Sequence, residues 1–449
     1  MPPTVDDYRV IDADTHITEP PDLWTSRVST RKWGDAVPHV VSDPATGQDV
    51  WVTGSTVLQG VAVAAQAGYP KFPPDSPKTL ADARPETWQL EPRLARMDAA
   101  GVHAQILYPN VVGFGTGRFS AMADGELMLA CIQAYNDFLA EWAGSAPTGR
   151  QVPMMALPFW DIELSLAEMR RAAELGHKGI VFSSRPDTWG QPWLPDPHWN
   201  PLFAQAQEMG LPINFHIGSG PVDLNAYPGA GKHANFARLA VLLFVGNAQA
   251  VTDIIYGGIC HRFPKLNFVS VESGVSWLPF LLQALDWQWM NFGIHHEHPE
   301  YDLLPSEYFA RQIYGCFWFE RGEPLEAAVH HLGADHILYE TDFPHPTCMS
   351  PGEATYATEP PAVHRGSPDG HLPRGRPAED AARQRRAHLP PRRLSDARRR
   401  GGATARPGGS RCRAAHRARR RRPSNQTYRL TVNGRSEIAR RAAPRNTAP

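Results

Sequence analysis

The chain has 449 residues, 42% of them hydrophobic and 10% aromatic, which suits a large globular enzyme domain and excludes a chain too polar to form a core. Its formal net charge of −1 averages two unlike segments: residues 351–449 carry 24 arginines, no lysine and seven acidic residues, a net +17, and residues 1–350 carry the balancing −18. Five scattered cysteines (131, 260, 316, 348 and 412) without a CxxC pair argue against a disulfide framework. No secretory signal and no long apolar run are visible, so a cytoplasmic protein without membrane association is expected.

In chain order, residues 8–14 form a short β-type run that ends in acidic residues. A Pro/Gly-rich insertion follows at 19–85, with weak strand signals at 50–57. A helix over 86–101 closes on glycine, and 102–109 is the next strand. Beyond it come a helix at 120–144, a strand at 151–158, and a helix at 161–176 with aspartate near its start and glycine at its end. Strands at 178–184, 211–218, 266–273, 313–320 and 336–343 alternate with helices at 197–210, 236–263, 275–292 and 323–333. Eight near-continuous apolar strands separated by helices predict an α/β fold, a (β/α)8 barrel with an inserted loop after the first strand. A doubly wound open sheet is the rival, but no G-x-G-x-x-G follows the first strand.

Residues 351–449 hold only seven Leu, Ile, Val and Phe together, so an irregular Arg/Pro/Ala/Gly tail is expected beyond a barrel domain at 1–350. The absence of lysine and the dominance of residues with GC-rich codons point to a reading-frame shift near 350–365 rather than to a nucleic-acid-binding arm. Reading the coding DNA past codon 350 in the other frames tests this: it fails if neither gives an amphipathic helix followed by a stop.

Active sites on such barrels lie at the C-terminal ends of the strands. Those ends carry Asp14 and His16, His216, Glu272, and Glu340-Thr341-Asp342-Phe343-Pro344-His345. Residues two apart on a strand share a face, so Asp14 and His16 can point together into the mouth. Asp14, His16, His216 and Asp342 make a reasonable oxygen/nitrogen site for a divalent transition metal. Singly, each has a duller explanation: a core histidine, a turn cap, an ion pair with arginine. Those explanations have no reason to select the ends of strands 1, 5, 6 and 8. The cluster His295, His296 and His298 reads as a solvated surface group. His261 and Arg262 suit a helix end, and Cys316 to Phe319 are expected to be part core and part pocket wall.

IDADTH, LPINFHIG, LNFVSVESG and ILYETDFPH, with RLARMDAAGVHAQILYP and HRFPKLNFV in the same order, resemble the amidohydrolase-related family that includes aminocarboxymuconate-semialdehyde decarboxylase. The resemblance spans about residues 8–350. It implies a metal-dependent (β/α)8 barrel, with Zn2+ or sometimes Mn2+, acting as a decarboxylase or hydrolase on small, often aromatic carboxylates. It places the family's first-strand H-x-H on Asp14 and His16, its fifth-strand ligand on His216 and its last-strand aspartate on Asp342. Two departures stand out: Asp14 replaces the first histidine, which makes Mn2+ more plausible, and Glu272 replaces a sixth-strand histidine. The expected activity is a non-oxidative decarboxylation with Asp342, His216 and Glu272 as catalytic residues and His345 near the substrate. Hydrolysis by a metal-activated water is the alternative, and an inactive barrel with a damaged end is a third. A homodimer is common in the family.

Overall fold

The computed structural model describes residues 9–115, 119, 122, 124–220 and 227–349. Eight strands form one parallel sheet: β1 (Val10–His16), β5 (Val102–Tyr108), β6 (Gln151–Met155), β7 (Gly179–Val181), β8 (Ile213–His216), β9 (Phe268–Val271), β10 (Ile313–Phe317) and β11 (Ile337–Tyr339), hydrogen-bonded in that order. The first and last strands meet just beyond β11. Asp342 N donates to Asp14 O at 3.0 Å, His16 N donates to Phe343 O at 2.7 Å, and Thr15 and Phe343 form a parallel bridge. The (β/α)8 barrel expected from the strand count is therefore nearly closed, with helices between its strands.

The eight predicted strands are all present: the first keeps its seven residues but lies two positions later, at Val10–His16, and the other seven are shorter than their apolar runs, whose ends turn into loops. The helices follow their capping signals. Asp161 accepts from Leu164 N at 3.0 Å and starts Ile162–Glu174. Gly210, at φ 67°, ends Asn200–Met209 in the left-handed conformation that glycine adopts without strain. The predicted helix at 236–263 is three pieces, Lys232–Leu242, Phe244–Tyr256 and Ile259–Arg262. Arg262 does serve a helix end: its Nη1 donates to Gly257 O at 2.8 Å.

Three differences from the sequence reading have physical causes. The insertion holds an antiparallel sheet, β2 (His39–Asp43), β3 (Gln48–Thr53) and β4 (Thr56–Gly60), where only weak strand character was legible. Its strands are mostly half-exposed and mix polar with apolar residues, so period-2 patterning is faint. Trp51 anchors this sheet edge-on against Trp24, with centroids 4.9 Å apart, and Trp24 Nε1 donates to Cys131 O at 3.0 Å on the barrel helix Gly125–Ser145. A further helix, Pro305–Gln312, was missed because its eight residues follow a polar, histidine-rich stretch at 295–302. Finally, Lys232–Tyr256 is long and apolar enough to cross a membrane by length and composition, contrary to the expected absence of such a run. Its second half packs Ala250, Val251, Ile254 and Ile255 into the barrel's outer core, as a core helix of a barrel does.

Side chains inside the barrel, including Ala13, Tyr108, Met154, Val181, Val271 and Cys316, form a packed plug beneath the mouth. The larger core lies between strands and helices. The mouth is therefore floored by apolar residues, and polar groups above them are cut off from water.

Candidate functional site

β1 carries Asp12, Asp14 and His16 into this dry environment, all fully buried. His216 is the last residue of β8, Glu272 follows β9, and Asp342 and His345 follow β11. The predicted residues do converge, in two overlapping groups. Asp14, His16, His216 and Glu272 bring one donor atom each within 4.8 Å of one another, and so do His16, Glu272, Asp342 and His345. The close pairs are His345 Nδ1 to Asp342 Oδ1 at 2.8 Å, His16 Nε2 to His216 Nε2 at 3.1 Å, His216 Nε2 to Glu272 Oε2 at 3.2 Å, His16 Nε2 to Asp342 Oδ1 at 3.3 Å, and Asp14 to both histidines at 3.5 Å.

Each imidazole is tethered by its other nitrogen. His16 Nδ1 donates to Pro109 O at 3.3 Å and His216 Nδ1 donates to Ile217 O at 2.8 Å. His345 Nε2 donates to Asn110 Oδ1 at 2.6 Å. The Asn110 amide cannot be turned over, because its Nδ2 donates to Ile17 O. Oxygen acceptors on one side fix the proton there and leave a lone pair on the other nitrogen. Burial holds His16 well below the usual histidine range and His345 down at about 4, so both rings are neutral. The lone pairs of His16 Nε2 and His345 Nδ1 thus face the carboxyl groups.

The carboxylates are equally exposed to one another. All four oxygens of Asp14 and Asp342 are buried without a hydrogen-bond partner. Asp342 Oδ1 lies 2.8 Å from His345 Nδ1, but not in hydrogen-bond alignment. Burial, followed by the neighbouring negative charges, raises Glu272 and Asp342 well above the carboxylate range, and Glu340 is raised in the same way. Glu272 and Asp342 also sit at φ 56° and φ 58°, a left-handed conformation costly for residues with a Cβ. Glu272 is held there by its backbone N–H donating to Glu340 Oε2 at 3.0 Å, and Asp342 by its bond to Asp14 O. Tethered imidazoles and orphaned buried carboxylates are a donor set that fits a divalent cation.

The sequence reading passed over the residues that hold this set in place. Glu340 was visible beside Asp342 but was given no task. Glu19 accepts from the backbone N–H of Asn110 and of Val111, each at 2.8 Å, and so fixes the loop that carries the His345 tether. Glu320 accepts from Val275 N and Ser276 N at 2.7 Å each, and so fixes the turn after Glu272. Gly274, at φ 70°, is required there because a Cβ would come 2.9 Å from Glu320 Oε1. Phe114 stacks on His216 at 3.7 Å, and His345 on His16 at 3.6 Å. None has a one-dimensional signature, since each acts across the barrel. Elsewhere, His295 and His296 are exposed and His298 pairs with Glu300 at 3.1 Å, in keeping with a surface cluster. Phe319 is 62% exposed and so is neither core nor buried wall, whereas Cys316 and Phe317 are buried.

Asp12 adds a pH dependence. It accepts from Thr341 N at 2.9 Å and Thr341 Oγ1 at 2.6 Å, yet burial raises its pKa from 3.8 to about 7. A carboxyl raised on folding binds extra proton in the folded state between the two values. The cation-free protein should therefore lose stability as pH rises from about 4 to about 7, by on the order of 4 kcal/mol from Asp12 alone. Glu272, Glu340 and Asp342 act in the same direction. A bound cation needs ionised carboxylates and should flatten or reverse that slope. Denaturant unfolding at several pH values, with chelator and with Mn2+, measures it, and identical slopes would contradict the cation-binding reading.

The amidohydrolase family profile matches residues 11–389, most of the chain. The chain belongs to the amidohydrolase family. The match to this enzyme family runs past residue 350 into the compositionally distinct segment, which lies outside the described residues. Among relatives of this amidohydrolase, gamma-resorcylate decarboxylase of Rhizobium sp. (strain MTP-10005) is 24% identical over 273 residues, 56% of this chain and 76% of its own. The 2-amino-3-carboxymuconate-6-semialdehyde decarboxylase of Dictyostelium discoideum is 25% identical over 268 residues, 58% of this chain and 67% of its own. Among solved structures, an amidohydrolase from Mycobacterium avium subsp. paratuberculosis K-10 superposes with a TM-score of 0.60 at 22% identity, covering 77% of this chain and 92% of that one. It shares the fold.

Proposed function

We propose that this amidohydrolase is a metal-dependent, non-oxidative decarboxylase of a small aromatic or ring-cleavage carboxylate. The observation that carries the reading is the convergence, at the barrel mouth, of tethered imidazoles with unpartnered buried carboxylates. The decarboxylases among its relatives supply the reaction type.

Asp14, His16 and His216 would hold the cation, with a carboxylate from Asp342 completing the set. A divalent cation there supplies a Lewis acid that draws together the substrate carboxylate and a neighbouring oxygen. Zn2+ suits the imidazoles, and the number of carboxylates makes Mn2+ suit as well. Decarboxylation breaks the bond between carbon and CO2 and leaves an electron pair on the carbon, which must take a proton. Glu272 is placed to give it: its side chain is 10% exposed at the mouth beside His216, and burial and Asp342 raise its carboxyl in the cation-free protein. Asp342 would pass the replacement proton to Glu272. His345, stacked on His16, would border the bound substrate.

The test is incubation of the metal-loaded full chain with ortho-hydroxy aromatic acids, following CO2 release and the product. CO2 with the matching phenol supports the reading. Turnover of an ester, lactone or C–C substrate to a new carboxylic acid, without CO2, would replace it with hydrolysis.

A further inference from the structure

Residues 68–77 carry Pro70, Pro73, Pro74 and Pro77. These prolines stiffen the segment and remove backbone donors, and it forms neither helix nor strand. At one end, Gln66 N and Ala67 N donate to Pro344 O at 2.9 Å and 3.0 Å, beside the seam between β1 and β11. At the other, Asp49 N donates to Lys78 O at 3.0 Å and ties the segment to β3. Between these anchors the backbone bonds are local, from Tyr69 N to Gln66 O and from Asp75 N to Phe72 O. Phe72 is 62% exposed, so no core holds the middle of the segment.

Two side chains at the start of the helix Lys232–Leu242 hold it instead. Lys232 Nζ lies 2.5 Å from Asp75 Oδ1, and His233 Nδ1 donates to Pro73 O at 2.6 Å. Among the described residues, no other hydrogen bond or ion pair joins 68–77 to the barrel. That helix follows β8, the fifth strand in the barrel order, and in an eight-stranded barrel the fifth strand stands opposite the first. The segment therefore leaves the seam beside Asp342 and reaches the far side of the mouth. The six residues from Ala67 to Pro73 can span about 20 Å when extended. Asp14, His16 and His216 are fully buried beneath the mouth, so whatever reaches them must enter past this segment.

We propose that residues 68–77 are a strap across the barrel mouth, latched to Lys232 and His233 through Asp75 and Pro73, and that release of this latch admits cation and substrate. An exposed ion pair and one hydrogen bond make a weak closure. The Lys232 and Asp75 side chains are 54% and 41% exposed, so water competes with the pair and the strap opens without unfolding the barrel. Its prolines make it swing as a unit between the anchors at Ala67 and Lys78. The role in cation entry rests on the reading that Asp14, His16 and His216 bind a cation.

The experiment follows release of Mn2+ from the loaded full chain into excess EDTA and, in parallel, trypsin cleavage after Lys71, which is exposed on the strap. A protease needs its target segment free of partners, so cleavage reports opening. Lys232→Ala should release Mn2+ and be cut at Lys71 about fivefold faster, the most that one exposed ion pair supplies, with Mn2+ affinity unchanged. Lys232→Asp combined with Asp75→Lys re-forms the pair with its charges exchanged and should return release to the wild-type rate. Wild-type release and cleavage in Lys232→Ala would overturn the latch. Faster cleavage with wild-type release would mean that the strap does not cover the mouth, and would overturn the gate. An exchanged pair no slower than Lys232→Ala would overturn the assignment to Asp75. A wild type that takes up no Mn2+ would overturn the proposed function instead, and cleavage alone then decides the latch.

Discussion

His216→Ala is expected to strip the cation and to lower kcat/KM by at least about 10^3-fold, since a catalytic cation supplies several kcal/mol and about 1.4 kcal/mol is one decade. His216 is fully buried, its Nε2 lies 3.1 Å from His16 and 3.2 Å from Glu272, and its Nδ1 bond to Ile217 O leaves it no other orientation. Alanine leaves an apolar void under Phe114, which stacks on this ring. Some stability is therefore lost as well, and two readouts separate the effects. Metal content and kcat/KM should collapse together at a temperature where circular dichroism still shows the folded barrel. A folded variant that keeps its metal and turns over within tenfold of the wild type would remove His216 from the site.

How much of this was legible depends on the range over which each residue acts. Asp14, His16, His216 and Asp342 were found because strand ends can be read from apolar runs, and polar residues at those ends are conspicuous. Glu272 was visible for the same reason, but its closeness to His216 was not, because a φ of 56° turns its side chain where an extended strand would not send it. Grouping Asp342 with His345 instead of with His216 depends on the loop after β11, whose path no periodicity encodes. The barrel was legible because parallel strands are buried on both faces. The β2–β4 sheet was not, because its strands are largely half-exposed and its packing is long-range, with Trp51 on Trp24, 27 positions away, and Val37 and Val61 in the same cluster. Glu19, Asn110 and Arg93 read as ordinary loop or helix residues until the barrel closes around them.

Arg93 carries the second large prediction. It lies on the helix Leu90–Ala99, yet it is fully buried, and burial lowers its pKa to about 9. Its guanidinium reaches the seam where the first and last strands meet. Nε donates to Gln105 Oε1 at 2.9 Å, Nη1 to His16 O at 2.9 Å, and Nη2 to Phe343 O at 3.4 Å. The last two acceptors flank the seam on either side, next to the donors His16 and Asp342. Arg93→Met keeps the apolar stem and removes all three bonds. Gln105 Oε1 and His16 O lose their partner, whereas Phe343 O keeps its bond from His16 N; at about 1–3 kcal/mol for each buried acceptor, a loss of about 2–5 kcal/mol is expected, lowering Tm by roughly 5 °C. Arg93→Lys should recover little, since a single ammonium cannot serve three acceptors in a plane. If the guanidinium acts only as a packing element, Met and the wild type should bind Mn2+ equally. If it holds the seam in register, Mn2+ affinity should fall by roughly 10–100-fold in Met and in Lys alike, because His16 and Asp342 then lose their fixed spacing. A Met variant with wild-type Tm and wild-type metal affinity would mean that the strand-to-strand bonds at Asp14 and Phe343 close the barrel without help from the helix.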